Sequence, residues 1–197
     1  MVEITKIKTN IWSKLGARGT FGSAILELAK SRENFFVLSA DLCNSSGLDR
    51  FKTMYPERFI NMGIAEQNMI GVAAGLAKDG TPVFATSFAP FISLRAAEQI
   101  RMNLGYMKLN VKAVGIGSGL SMAYLGSSHY GLEDVSIMRA IPNMAVLSPA
   151  DGAEIVKTVF AAADYPYPVY IRLTGGANNP VVYKEDYVFE IGRAVKL

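Results

Sequence analysis

Short apolar runs alternate with longer helical patterns along most of the chain, and this alternation limits the folds that it can adopt. The runs are about five residues long, and the one at 35–39 (FFVLS) stops just before Asp41, as a buried parallel strand would. Between the runs, apolar residues recur at helical spacing, as at 20–32. Strands alternating with helices indicate repeated βαβ units, which place helices on both faces of a sheet. The sequence therefore predicts an α/β fold with three layers, α/β/α, and a mostly parallel sheet.

The predicted elements follow one another without an internal repeat or a linker. Strands are predicted at 35–39, 59–63, 82–86, 111–116, 144–147 and 169–173. Helices are predicted at 20–32, 65–78, 91–107, 132–140 and 152–163, with a Gly/Ser-rich loop at 117–130 and an edge strand or a tail at 187–197. We therefore expect a single domain over residues 1–197, with a core at about 16–180 and a tail at 181–197.

Composition excludes several classes of protein. The single cysteine, Cys43, rules out an internal disulfide framework and indicates a reducing compartment, and one Cys with one His cannot build a metal cluster. The 20 Lys and Arg against 17 Asp and Glu leave a net charge of only +3, without basic blocks, which argues against nucleic acid. No apolar run approaches the roughly 18 residues of a membrane span, and the N-terminus lacks a signal-peptide core. We expect a cytoplasmic protein with no membrane partner.

Glu66 is the acidic residue that most suggests chemistry. Ligands of parallel sheets bind at the carboxyl ends of the strands, and Glu66 follows one of these ends within a segment of small and apolar residues, NMGIAEQNM. Two interpretations stay open at this point. The residue is either an acid in the first turn of a helix, favoured by the helix dipole, or a partly buried acid that exchanges a proton with a neutral ligand.

Four other residues near predicted strand ends have both a structural and a functional interpretation. Phe88 and Phe91 either pack in the core or form a stacking platform at the mouth of the sheet. His129 is either a surface residue or a polar substrate contact or acid/base group. Arg172 ends a buried-looking strand, where it forms a structural ion pair or meets an anion.

Four stretches together carry a resemblance to a known family. They are SADL at 39–42, GIAEQNM at 63–69, ATSFAPFISLRAAEQIR at 85–101 and HYGLEDVSIMRAIPNMAVLSPAD at 129–151. In this order they resemble the pyrimidine-binding domain of the thiamine-diphosphate-dependent transketolase family, over about Gly16 to Arg172. The resemblance implies the thiamine-diphosphate-binding fold and, more narrowly, the C-terminal section or subunit of a split transketolase.

The resemblance implies a set of cofactor contacts. In this family, the glutamate at the position of Glu66 hydrogen-bonds a ring nitrogen of the cofactor's aminopyrimidine and so takes part in catalysis. The residues at the positions of Phe88 and Phe91 pack around the same ring, and the resemblance also makes Ile64 a cofactor-binding residue. The residue at the position of Asp41 is a carboxylate near the cofactor with a positional role.

Substrate contacts are also implied. His129 takes the place of a catalytic histidine in the substrate channel that contacts sugar hydroxyls. Arg172 and Ser45 lie where transketolases bind the substrate phosphate. The residues around those last two positions differ from the family pattern. Leu125 replaces an aspartate that contacts the donor sugar, and Leu94 replaces the third aromatic residue of the pyrimidine pocket. A phosphorylated pentose is therefore not assumed as the substrate.

The family's diphosphate-binding half does not appear in the sequence. In transketolases, a GDG…N motif in a separate domain holds the diphosphate and its Mg²⁺, and this chain has only KDGTP at 78–82. The resemblance thus implies a diphosphate-binding N-terminal subunit as partner, with the Mg²⁺ ligands on that partner, in a homodimer or heterotetramer. The tail at 181–197 would lead toward the family's third domain.

The function expected from the resemblance is transfer of a two-carbon ketol unit from a ketose or its phosphate to an aldose or its phosphate. The active site would be complete only with the partner chain. Three alternatives stay open: a deoxyxylulose-phosphate synthase, the β subunit of a 2-oxoacid dehydrogenase, and a non-catalytic pyrimidine-domain module that serves in assembly.

Overall fold

The computed structural model describes residues 3–195 and confirms the α/β fold with a parallel sheet. The six strands are β1 (Phe36–Ser39), β2 (Phe59–Asn61), β3 (Val83–Phe88), β4 (Val111–Ser118), β5 (Ala145–Leu147) and β6 (Val169–Thr174). They lie in the order β2-β1-β3-β4-β6-β5, and all five pairs of neighbours are parallel. All the carboxyl ends therefore meet at one edge of the sheet.

Helices cover both faces of the sheet. They are α1 (Lys6–Ala29), α2 (Asp49–Met54), α3 (Glu66–Lys78), α4 (Ala97–Gln99), α5 (Asp134–Ala140) and α6 (Gly152–Asp164). The buried residues of α1, α2 and α6 belong to one apolar cluster, and those of α3 and α5 belong to another. Strand β3 shows why the clusters are separate: Phe84 joins the first cluster and its neighbour Ala85 joins the second, because successive side chains of a strand point to opposite faces.

The helical segment 91–106 corresponds to the helix predicted at 91–107, but most of it is π-helical. Two π-helical stretches, Phe91–Arg95 and Ile100–Tyr106, flank α4. The buried apolar side chains of the segment recur every four residues, a wider spacing than the 3.6 of an α-helix: Ile92, Ala96, Ile100 and Leu104. A π-helix has more residues per turn than an α-helix, so residues four apart stay on one face of the segment, the face toward the sheet.

The N-terminal helix is much longer than the sequence predicts. It begins at Lys6, where the hydroxyl of the N-cap Thr5 accepts a hydrogen bond from the backbone N–H of Lys8, rather than at residue 20. Its first half has a weak apolar pattern, since it exposes apolar residues such as Ile7 and Ile11. The helix is interrupted at Gly16, whose φ of 70° suits glycine.

Other predicted boundaries also shift. The predicted strand at 59–63 ends at Asn61, and the loop at 117–130 contains the last residues of β4 and two short 3-10 turns, Ala123–Leu125 and Ser127–His129. The edge-strand prediction at 187–197 is wrong for the described residues, because 187–195 form no strand; residues 196–197 lie outside the described range. No helix within residues 3–195 has the length and apolar character needed to cross a membrane.

Asp151 fixes the segment that follows β6 against α6. Its Oδ1 caps α6 by accepting from the N–H of Glu154 at 2.9 Å. Its Oδ2 accepts from the N–H groups of Val182 and Tyr183, both at 2.8 Å. One buried carboxylate therefore satisfies three backbone donors from two parts of the chain.

Replacing Asp151 by alanine should lower the free energy of unfolding by about 2–4 kcal/mol, because it removes a helix cap and two charge-assisted hydrogen bonds. Urea denaturation measures the loss, and hydrogen exchange at Val182 and Tyr183 should accelerate. The control is Asp164→Ala. It removes an exposed carboxylate that pairs with the exposed Arg32, and it should change the free energy of unfolding little. Equal losses at both positions would contradict this account of Asp151.

Lys112 is a buried cation on β4 whose ammonium nitrogen donates to the backbone carbonyls of Tyr165 and Tyr167 at 2.6 and 2.7 Å. Desolvation by burial lowers its pKa from 10.5 to about 7. A neutral amine still has two N–H bonds for the two carbonyls. The group therefore titrates in the folded chain close to neutral pH.

The free energy of unfolding should consequently rise between pH 7 and pH 10.5, where the unfolded chain holds a proton on Lys112 that the folded chain has lost. The slope from this group approaches about 1.4 kcal/mol per pH unit and vanishes below pH 7, where both states are protonated. Lys112→Met should remove this slope in urea titrations across the range, whereas the same change at the exposed Lys78 should keep it. An unchanged slope in Lys112→Met would refute the assignment.

Candidate functional site

The candidate site lies at the carboxyl edge of the sheet, where several chain segments converge. Asp41 lies two residues beyond the end of β1, the loop to Glu66 follows β2, and Phe88 ends β3. The loop after β4 returns past this edge, where Gly119 and Gly131 pair through two backbone hydrogen bonds. This is the edge at which ligands of parallel sheets bind.

Glu66 is the first residue of α3, and its side chain is only 1% exposed. Its Oε1 accepts a hydrogen bond from the Ser87 hydroxyl at 2.8 Å, and its Oε2 accepts one from the Arg95 guanidinium at 2.7 Å. The carboxyl group is therefore buried in a polar setting made by a hydroxyl and a cation. The apolar surroundings expected from the neighbouring sequence do not extend to the carboxyl oxygens.

An aromatic cluster adjoins this carboxyl group. The rings of Phe88 and Phe91 have centroids 5.8 Å apart, and the ring of His129 lies 5.4 Å from the first and 5.1 Å from the second, in edge-to-face geometry. The guanidinium carbon of Arg95 lies 4.4 Å from the centroid of Phe91. The Arg95 side chain thus links the Glu66 carboxylate to the aromatic cluster.

His129 is carried by the second 3-10 turn of the loop after β4 and is half-buried. Its Nδ1 lies 2.9 Å from the Ser128 hydroxyl. The fold therefore brings together Glu66, Phe88, Phe91 and His129, which the sequence analysis singled out from three separate segments.

Asp41 has a left-handed backbone conformation, with φ 58°, and is held by Asn61 at the end of β2. The backbone N–H of Asp41 donates to Asn61 Oδ1 at 3.1 Å, and Asn61 Nδ2 donates to Asp41 Oδ1 at 2.9 Å. Asn61 Oδ1 also accepts from the N–H of Gly63. One amide side chain thus ties the end of β1 to the loop before Glu66, in which Ile64 is 77% exposed.

Arg172 forms a structural ion pair: its Nε lies 2.9 Å from Oδ2 of the buried Asp134. The Tyr170 hydroxyl donates to the same oxygen at 2.8 Å, and burial raises the pKa of this phenol well above its ordinary value. The guanidinium also donates to Thr174 and to the carbonyl of Gly131. Of the two interpretations of Arg172, a structural ion pair or a contact with an anion, the structure shows the ion pair.

Ser45 is half-buried in the turn between β1 and α2. The hydroxyl of its neighbour Ser46 lies 3.5 Å from that of Thr86 on β3, so the turn packs beside the strand that carries Ser87. A substrate contact of Ser45 stays a prediction, as do the cofactor and substrate contacts of the other residues above.

Two members of the cluster around Glu66, Ser87 and Arg95, were missed by sequence reasoning. Ser87 is a small polar residue in a strand buried along its whole length, and a buried hydroxyl needs a partner, which was an available signal. Arg95 follows Phe91 at a spacing of four, which places both on one side of a helical segment. Among residues 3–195, no group of three or more His, Cys, Asp or Glu is arranged to hold a metal ion.

Comparison with known proteins identifies the family of this chain. Residues 13–179 match the model of the transketolase pyrimidine binding domain. A Methanocaldococcus jannaschii protein named as a transketolase C-terminal section is 46% identical over 180 residues, which are 90% of this chain and 57% of the relative. One of the subunits of an apulose-4-phosphate transketolase from Phocaeicola vulgatus is 36% identical over 91% of this chain and 58% of its own length.

A solved structure agrees with these matches. A split gene transketolase described as an inactive beta4 tetramer superposes with a TM-score of 0.81 at 44% identity, over 91% of this chain and 57% of that one. The chain thus spans somewhat more than half the length of these relatives. The match to the domain model and the high coverage of this chain together show that it belongs to the transketolase family, as a pyrimidine-binding domain.

Proposed function

We propose that this chain is the pyrimidine-binding part of a thiamine-diphosphate-dependent transketolase whose active site is completed by a diphosphate-binding partner subunit. The observation that carries the proposal is the buried Glu66 at the first turn of α3, bonded to Ser87 and adjoining the cluster of Phe88, Phe91 and His129. The names of the relatives support a split enzyme, since one describes a C-terminal section and the other describes one of several subunits.

The residues of the site fit one end of thiamine diphosphate. A carboxyl group that Arg95 links to a cluster of three rings suits a flat, hydrogen-bonding aminopyrimidine. The diphosphate end requires a divalent cation with oxygen ligands, and no metal-holding acidic cluster lies within the described part of the chain. We therefore assign the aminopyrimidine to this chain, and the diphosphate with its Mg²⁺ to the partner.

Each residue of the site then has a role in ketol transfer. When bound, thiamine diphosphate supplies the carbon nucleophile that adds to a ketose carbonyl. Glu66 holds and returns a proton at a ring nitrogen of the aminopyrimidine, and Ser87 fixes Oε1 of that carboxyl group. Phe88 and Phe91 cover the ring and exclude water, and His129 contacts the sugar hydroxyls.

The partner subunit would cover exposed apolar residues at the same edge of the sheet. Ile64 lies in the loop before Glu66, and Leu120, Tyr124 and Leu125 lie in the loop that carries His129; all four are exposed. Covering them would also enclose the aromatic cluster. Because a relative forms an inactive tetramer of one kind of subunit, we infer that this chain alone also self-associates without activity.

Glu66→Gln should lower ketol transfer by about 10²- to 10⁴-fold, because the amide cannot exchange the proton that the carboxyl group handles. The assay uses the chain reconstituted with its diphosphate-binding subunit, thiamine diphosphate and Mg²⁺, with a ketose phosphate as donor and an aldose phosphate as acceptor. The matched control is Glu98→Gln, which alters an exposed carboxylate paired with Arg101 on segment 91–106 and should keep activity. Full activity in Glu66→Gln would refute the proposal.

The same assay separates the alternative enzymes. Release of carbon dioxide from pyruvate would indicate a deoxyxylulose-phosphate synthase or a 2-oxoacid dehydrogenase instead of an enzyme that only transfers a ketol unit. Absence of both reactions, together with no calorimetric binding of thiamine diphosphate by the complex, would favour an assembly module.

Tyr124→Asp should weaken association with the diphosphate-binding partner about tenfold or more, because a charge would be desolvated in an apolar contact. Sedimentation or calorimetry measures the affinity, and the melting temperature of the chain alone should stay close to that of the wild type. Tyr106→Asp is the control, since Tyr106 is also exposed but ends the segment just before β4, at the opposite edge of the sheet. Unchanged affinity in Tyr124→Asp would place the interface elsewhere, and equal weakening by both variants would contradict a specific contact at Tyr124.

A further inference from the structure

We propose that Arg95 controls access to Glu66: its guanidinium covers the carboxylate in the conformation described here and has to release it before an aminopyrimidine nitrogen can bond to it. The proposal rests on the function proposed above for its ligand. It assigns to Arg95 a positioning role that is separate from the proton exchange at Glu66.

The argument begins with burial. The Glu66 side chain is 1% exposed, so no ligand atom reaches its carboxyl oxygens in this conformation, whereas the Arg95 side chain is 44% exposed. Of the two groups bonded to Glu66, Ser87 is fully buried on β3, which is paired with a strand on each side. Arg95 is therefore the partner whose movement opens a path to the carboxylate.

The local backbone also favours movement of Arg95. The residue is the last of the π-helical stretch Phe91–Arg95, and the next residue, Ala96, leaves helical geometry with φ −100° and ψ 16°. Interruptions of this kind concentrate at functional sites.

Release is coupled to ligand binding by the cost of an unpaired buried charge. A carboxylate that loses the guanidinium while still buried keeps only the Ser87 hydroxyl as donor, which is unfavourable. Once the guanidinium has left, Glu66 takes up one proton from solvent, and its Oε2 donates that proton to the ring nitrogen, which restores a hydrogen bond at the oxygen that Arg95 leaves. Ligand and arginine therefore exchange at one oxygen, and Glu66 passes from an ion pair to a proton-sharing hydrogen bond.

The first test measures access to Glu66 in the chain alone. A water-soluble carbodiimide with an amine nucleophile labels accessible carboxyl groups, and peptide mass spectrometry locates the label. In the wild type, Glu66 should be as protected as Asp134, a buried carboxylate paired with Arg172. R95M should raise labelling of Glu66 by about tenfold or more, because the closed conformation is lost, while Asp134 stays protected and so reports that the fold is intact.

The control for this substitution is R101M. It removes an exposed arginine that pairs with Glu98 on the same helical segment and should leave Glu66 protected. Wild-type labelling of Glu66 equal to that of the exposed Glu98, or protection of Glu66 unchanged in R95M, would overturn the proposal. R95K serves if R95M folds poorly: lysine keeps the charge but not the forked donor geometry, so labelling should lie between wild type and R95M.

The second test measures the association rate of thiamine diphosphate with the reconstituted complex. R95M should bind about tenfold faster or more, since the open conformation no longer has to be selected, and R101M should bind as the wild type does. A slower or unchanged rate in R95M would show that Arg95 does not restrict access. A complex that binds no thiamine diphosphate, although R95M exposes Glu66, would refute the proposed function and leave control of access by Arg95 standing.

Discussion

A buried carboxylate is costly when its oxygens lack donors, and the two donors that reach the oxygens of Glu66 organise the site around it. The donors come from two different elements, since Ser87 lies on β3 and Arg95 lies on the helical segment that follows it. The relative positions of α3, β3 and segment 91–106 are thereby tied to one side chain. The guanidinium of Arg95 also packs against Phe91, so the position of the aromatic cluster is coupled to the same ion pair.

Two other buried charges, Asp151 and Lys112, differ from Glu66 in the nature of their partners. Asp151 binds backbone N–H groups, and Lys112 binds backbone carbonyls, so the partners of both charges belong to the main chain. Glu66 is paired with a long side chain that is nearly half exposed. Glu66 is therefore held by a partly exposed side chain, whereas Asp151 and Lys112 are held by main-chain groups.

The fold was predictable because each buried strand is a short apolar run between helical patterns, which leaves few alternatives to a parallel sheet. Phe88 and His129 are far apart in sequence, and the strand-end rule suggested their common edge but not their contact. The first half of α1 was missed because it exposes Ile7 and Ile11 and so lacks a clear buried face. Arg95 was missed because an arginine in a helical pattern is usually solvent-facing, and only three-dimensional packing reveals the carboxylate beneath it.

The central claim is that Glu66 meets the aminopyrimidine of thiamine diphosphate across an interface with a second subunit. A crystal structure of the reconstituted complex with thiamine diphosphate and Mg²⁺ tests it most directly. The account predicts a ring nitrogen about 3 Å or less from a carboxyl oxygen of Glu66, the Arg95 guanidinium displaced from that oxygen, and the diphosphate held by the other subunit. A bound cofactor with Glu66 still sealed beneath Arg95, or with its carboxyl group facing solvent, would contradict the account.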